Sequence, residues 1–177
     1  IQKIIDETPG KVSKEQLDEL VAAAIFDAVD SKNEFTLENT LKANETHVKN
    51  VWYDGAHISE YMARLTLIKE DDRNLTEIQE VINAANKDLA EAAVTAAEGG
   101  IDRAKLDYAR DLVANLDAEE AGKKGLQDRV DAHYLILAVN EARTASAMAT
   151  ALEALEGLTG VSEDASVLAD YVNEVQK

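Results

Sequence analysis

The chain has no cysteine, a single proline and few aromatic residues. Without cysteine there is no disulfide, no thiol nucleophile and no cysteine-ligated zinc. The one proline is Pro9, so no later helix is broken by a proline ring. Aromatic residues make up 5% of the chain, while alanine occurs 29 times. That balance favours closely packed helices over sheets, because alanine is the best helix former and a poor strand residue. Positive charge is also scarce, with 18 Lys and Arg against 35 Asp and Glu, a formal net charge of −17. The basic residues never cluster along the sequence. Nucleic acid and anionic membrane surfaces, which need cationic patches, are therefore disfavoured partners. Cations, basic polymers and basic protein faces remain compatible. No apolar run approaches the roughly 20 residues of a membrane span, so membrane insertion is not expected. No signal-peptide pattern is visible and the first residue is Ile1 rather than Met, which suggests a mature product or a segment of a longer protein.

The 177 residues are 46% hydrophobic, enough for one ordinary domain or two small helical units with cores of their own. Ile1 to Asp6 reads as the end of a helix, stopped by Thr8-Pro9-Gly10. Ser13-x-x-Gln16 has the spacing of a capping box, and Leu17, Leu20, Val21, Ala24, Ile25 and Ala28 follow at helical period. Thr36 reads as the cap of a second helix carrying Leu37, Leu41 and Val48. Tyr53-Asp54-Gly55 reads as a turn, followed by a stripe of Ile58, Tyr61, Met62, Leu65 and Ile68. Asn74-x-x-Glu77 opens a long helix that Gly99-Gly100 ends. Asp102 caps the next helix, with Ile101 set to pack on Leu106. Another begins near Asp117 or after Gly122 and reaches about Arg143. Thr144 to Glu156 and a last helix capped by Ser162 complete about eight helices and no strand.

The sequence resembles itself. Lys14 to Val29 aligns with Lys124 to Val139 at an offset of 110. One extra residue moves the offset to 111, pairing Leu37 with Met148 and Leu41 with Leu152. Tyr61-Met62 then matches Tyr171-Val172, back at 110. Ile1-Gln2 and Ile4-Ile5 match Ile78-Gln79 and Val81-Ile82 at an offset of 77, so the second copy carries 33 extra residues, which include Ile101 to Leu116. Each copy is expected to bury its faces within itself and against a neighbour. The expected architecture is all-α: two consecutive helical bundle units forming an elongated repeat array. The first unit spans 1–70 and is partial at its start. The second spans 74–177 with an added helix near 101–116, and the two join near 66–77. Leu20, Ile25, Leu41, Tyr61, Val130, Leu152 and Tyr171 are the expected core.

The stretches NLTEIQEVINAAN (74–86), AVNEARTASAMATALEAL (138–155) and LADYVNEV (168–175) resemble helical repeats of surface-layer and related cell-surface proteins of Gram-positive, bacillus-like bacteria. The likeness covers mainly 74–177 and more weakly 1–70. It implies a secreted, surface-located structural module whose partners are neighbouring repeat units of a longer chain, with a cell-wall or protein partner as a further option. No catalytic residue comes with it, and no wall-anchoring segment is expected within these residues.

No nucleophile, phosphate-loop or dinucleotide motif occurs. His47, His57 and His133 lack the spacing that puts two ligands on one helical face, and His133 reads as a core-edge residue. No enzyme activity, cofactor or metal site is therefore expected. Calcium is the one cation with candidate ligands, Asp71-Asp72 near Asn74 and Asp117-Glu119-Glu120, although helix capping explains both and neither matches an EF-hand loop. Trp52-Tyr53 stands out because the second copy has Glu163-Asp164 near that place. The pair is the candidate ligand contact, for a sugar or protein partner, against the alternative that it covers the end of a bundle. The remaining alternatives are an adhesion or glycan-binding module and an accessory domain of a secreted enzyme.

Overall fold

Ser13 starts the first helix as its spacing predicts. Its hydroxyl accepts from the Gln16 N–H at 3.2 Å, and the Gln16 side chain accepts from the Ser13 N–H at 3.0 Å. In the computed structural model, which describes residues 12–117, 120–155 and 165–175, eight α-helices follow one another and the described residues contain no strand. They are α1 (Lys14–Asp30), α2 (Glu34–Ala43), α3 (Gly55–Leu65), α4 (Leu75–Glu98), α5 (Arg103–Ala114), α6 (Lys123–Glu141), α7 (Ala145–Glu153) and α8 (Ala165–Val175). A 3-10 turn, Glu70–Asp72, precedes α4. The expected helix at Ile1–Asp6, the Ser162 cap and Glu119 lie outside the described residues.

The caps follow from short polar side chains placed where helix amides lack partners. Asn74 accepts from the Glu77 N–H at 3.0 Å, so α4 opens at its predicted start. Asp102 accepts from the N–H groups of Ala104 and Lys105 and opens α5, the added helix. α6 begins after Gly122, whose φ of 97° is the left-handed conformation that glycine adopts without a Cβ clash. The second helix corrects the expectation. Asn33, not Thr36, is its cap, and Thr36 supplies the N–H that Asn33 accepts. Val48 is not on that helix but in the segment after it, where it still plugs the core. Ile101, expected to pack on Leu106, is exposed while Leu106 is buried.

The chain divides into two compact units, Ile1–Leu89 and Ala90–Lys177. The boundary between these two units falls inside α4. The cause is apolar: Ile78, Ile82 and Ala85 of α4 belong to the same core as Val21, Ile25, Phe26 and Val29 of α1, Leu37 and Leu41 of α2, and Ile58, Tyr61 and Leu65 of α3. In the second unit Ala142, Met148 and Leu168 form a smaller cluster, with Val139, Leu152, Val172 and Val175 packed around it half-buried. Of the expected core, Ile25, Leu41, Tyr61 and Val130 are buried, Leu20 and Leu152 are half-buried, and Tyr171 is 37% exposed.

The helix bounds carry the repeat. α3 (Gly55–Leu65) lies 110 positions before α8 (Ala165–Val175), and Glu34 and Ala145 open α2 and α7 at an offset of 111. Asn33 and Thr144, the equivalent caps, each accept from the N–H three residues on. A shallow groove also recurs. Ala24, Thr36, Asn39, Thr40 and Ala43 line one, and their equivalents Tyr134, Ala147, Thr150, Ala151 and Ala154 line the other.

Candidate functional site

The Trp52–Tyr53 pair sits on the segment between α2 and α3, and a neutral polar stripe on α4 holds that segment. Gln79 acts like a strand partner for Lys49: its Oε1 accepts from the Lys49 N–H at 2.7 Å and its Nε2 donates to the Lys49 carbonyl at 2.9 Å. One turn on, Asn83 accepts from Gln79 Nε2 at 2.9 Å. Asn86 Nδ2 donates to the carbonyl of Asn50 at 2.7 Å. Asn50 has a φ of 58°, a conformation that asparagine tolerates better than most residues. Gln79, Asn83 and Asn86 thus recur at helical spacing beside the apolar stripe of Ile78, Ile82 and Ala85.

Below Trp52 the polar chain continues into the core. The Trp52 N–H donates to the Tyr61 hydroxyl at 3.1 Å, and that hydroxyl donates to Asn86 Oδ1. Tyr61 is 0% exposed, and its pKa is pushed up to about 12, chiefly by burial. Its phenol therefore remains a neutral donor. The Trp52 indole stacks on the His57 ring, with centroids 5.3 Å apart and planes 17° apart. His57 is fully buried, and its Nδ1 lies 2.7 Å from Asp54 Oδ2. Asp54 also caps α3, accepting from the His57 N–H at 3.0 Å. Burial works to raise the Asp54 pKa, but the hydrogen bonds from the His57 ring and backbone outweigh it and hold the carboxyl below the usual aspartate range. An ionised Asp54 can only accept, so Nδ1 carries the imidazole proton. The other ring nitrogen, Nε2, is buried without a hydrogen-bond partner. Tyr53 lies under the Lys42 ammonium, 5.1 Å from the ring centroid. Burial, with Glu45 and Glu38 nearby, raises its phenol pKa.

Trp52 and Tyr53 are both half-buried, with only part of each ring left at the surface. Sequence reasoning singled out the pair but missed its supports. His57 was weighed only as a metal ligand, although Asp54-x-x-His57 has the spacing of a cap and its N3 residue. The stripe of Gln79, Asn83 and Asn86 also carried a signal, since neutral amides at helical spacing beside an apolar face mark a polar seam.

The other sequence candidates are placed as follows. Asp71 and Asp72 lie exposed in the 3-10 turn. Asn74 is committed to capping, with its Nδ2 donating to the Asp72 carbonyl at 2.9 Å. Among the described residues no three His, Asp or Glu side chains come together to hold a metal ion. His133 is half-buried, with Nδ1 3.0 Å from the Arg129 carbonyl. A groove of about 590 Å³ runs along α1, walled by Glu15, Asp18, Glu19 and Asp27 and by Arg73. Arg73 is forked onto Asp30 at 2.6 and 2.9 Å and stacks on Phe26 at 4.8 Å. In the second unit Arg129 forks onto Glu98 through two 2.7 Å contacts.

The fold and site define an all-helical bundle protein with an aromatic corner clamped by buried polar side chains. Among the described residues no helix is long and apolar enough to cross a membrane. No family model matches the sequence, and no curated protein or solved structure matches it.

Proposed function

We propose that the chain is a structural, non-catalytic module of a bacterial cell-surface protein of the surface-layer kind, acting as a spacer or assembly element in an elongated array of helical units. One observation supports this most directly: the three-helix unit α1–α2–α3 recurs as α6–α7–α8, with helix starts in register to within one residue, one equivalent pair of caps, Asn33 and Thr144, and a recurring outer groove. Repetition of a whole packing unit suits length and regular contact, and neighbouring units are its natural partners. The resemblance of 74–177 to surface-protein repeats is what supports a location outside the cell. On this reading the Trp52 corner covers the end of its bundle, since the ring is stacked on His57 and its backbone is bonded to Tyr61.

Two measurements test the proposal. Small-angle scattering from dilute protein should give an elongated particle, and a near-spherical one would remove the array. Pull-down with purified cell wall and a glycan array should show no saturable binding. Saturable binding abolished by Trp52→Ala would replace the spacer with an adhesion module that works through Trp52 and Tyr53.

A further inference from the structure

The imidazole of His57 is buried in the Trp52 corner with one of its two nitrogens unused. Its side chain is 1% exposed, and Nδ1 is 2.7 Å from Asp54 Oδ2. Nε2 is enclosed and has no hydrogen-bond partner. The ring is covered by the Trp52 indole, stacked at 5.3 Å, and by Tyr61, tilted at 6.1 Å. The nearby Tyr61 hydroxyl is already engaged, by the Trp52 N–H and by Asn86. A neutral imidazole fits this place, because it donates one proton to Asp54 and leaves only an unshared pair on Nε2. An imidazolium does not, because its second N–H would be buried with no acceptor and its charge would be kept from water.

The groups around the ring decide which way protonation acts. On its own helix the ring faces the Asp54 carboxylate and the neutral phenol of Tyr61. From the segment before α3 it faces Trp52, next to which the Tyr53 phenol lies under the Lys42 ammonium of α2, with Glu38 and Glu45 nearby. From α4, Asn86 reaches the Tyr61 hydroxyl as a neutral amide. Asp54 is the charged group in direct contact, and it attracts an imidazolium. Its side chain is 43% exposed, however, so it can follow the ring outward and keep the ion pair at the surface. The attraction is thus available to both positions of the ring, whereas the cost of burial falls only on the inner one. Histidine takes up a proton between about pH 8 and 5. We infer that His57 is an acid-operated latch: protonation drives its ring out from under Trp52, and the Trp52–Tyr53 corner opens while the helices stay folded. The latch lies wholly in the first unit and does not depend on whether the chain is a spacer or an adhesion module.

Trp52 is the only tryptophan, so its fluorescence reads the corner alone. The test follows the emission maximum and acrylamide quenching of the full chain from about pH 8 to 5 in about 0.15 M NaCl. The maximum should shift to the red and quenching should increase, reversibly, while far-ultraviolet circular dichroism stays constant. The ratio of open to closed corner should rise by up to about tenfold per pH unit, the limit for uptake of a single proton. Intensity alone is not the readout, because an imidazolium quenches a stacked indole directly. His57→Gln keeps an amide donor for Asp54 and takes up no proton, so both signals should be flat. Should that variant fail to fold, the wild-type chain still decides: the imidazole resonances of His57 should titrate with the same midpoint as the emission shift. Trp52 signals that do not change with pH, a response that persists in full in His57→Gln, or a His57 ring that protonates while Trp52 stays covered each overturn the inference.

Discussion

At the scale of single residues, the corner between α2 and α3 stands on the Tyr61 hydroxyl. It takes the Trp52 N–H and gives its own proton to Asn86. Tyr61→Phe keeps the ring and strands two buried polar groups. Leaving such groups unpaired typically costs about 1–3 kcal/mol, and the denaturant midpoint should fall accordingly. The lone Trp52 should report the change through its fluorescence. Leu41→Ala removes a fully buried side chain and should cost about 2–5 kcal/mol. Leu152→Ala, at the equivalent position but half-buried, should cost less, and equal losses would contradict the asymmetry between the units. Asp54 sets the acid behaviour of the corner. Its folded pKa is depressed, so its contribution is fully present above the ordinary aspartate pKa of about 3.9 and is lost as pH falls through the lower folded value. Asp54→Asn should therefore flatten the acid limb of stability against pH below about pH 4. A variant with an unchanged acid limb would show that the His57 contact carries no linkage.

At the scale of elements, legibility followed the kind of signal. Helix starts marked by a polar side chain with a matching amide, at Ser13, Asn74 and Asp102, were readable because the cap is a local interaction. Thr36 misled for the same reason. Two acceptors stand near one start, and Asn33 captures the Thr36 amide first. Tyr171 misled for a non-local reason. Its periodicity matches that of Tyr61, but burial depends on what lies opposite, and Tyr61 has the start of α4 there. The clamp of Gln79, Asn83 and Asn86 was hidden because its partners are backbone groups 30 to 36 residues away. The offsets of 111 and 110 read from the sequence recur in the starts of α2 and α7 and in the bounds of α3 and α8. The equivalent caps provide a test. Asn33→Ala and Thr144→Ala should each cost about 1 kcal/mol of stability in thermal or urea unfolding. A neutral change at either would mean that the helix start is held by packing and not by its cap.

At the scale of the whole molecule, charge decides the response to solution conditions. The net charge is −17, from 35 acidic and 18 basic side chains. Several basic residues are already paired, including Arg64 with Glu60 and Asp88, Arg73 with Asp30, and Arg129 with Glu98. Salt weakens both these pairs and the repulsion among the unpaired carboxylates. Exposed pairs contribute only about 0–1 kcal/mol each and number fewer than the acidic groups, so the repulsive sum should dominate. Raising NaCl from about 0.01 to 0.15 M shortens the Debye length from about 30 to 8 Å, and the melting temperature should rise. Calcium separates general screening from a specific site. Asp71 and Asp72 are exposed, Asn74 is occupied by its capping bonds, and among the described residues no three candidate ligands converge. Calcium at matched ionic strength should then stabilise the protein no more than NaCl beyond the modest extra screening of a divalent ion. A rise in melting temperature that saturates with calcium and is reversed by chelator would instead show that ligands are assembled on binding, and alanine at Asp71 or Asp72 would locate them.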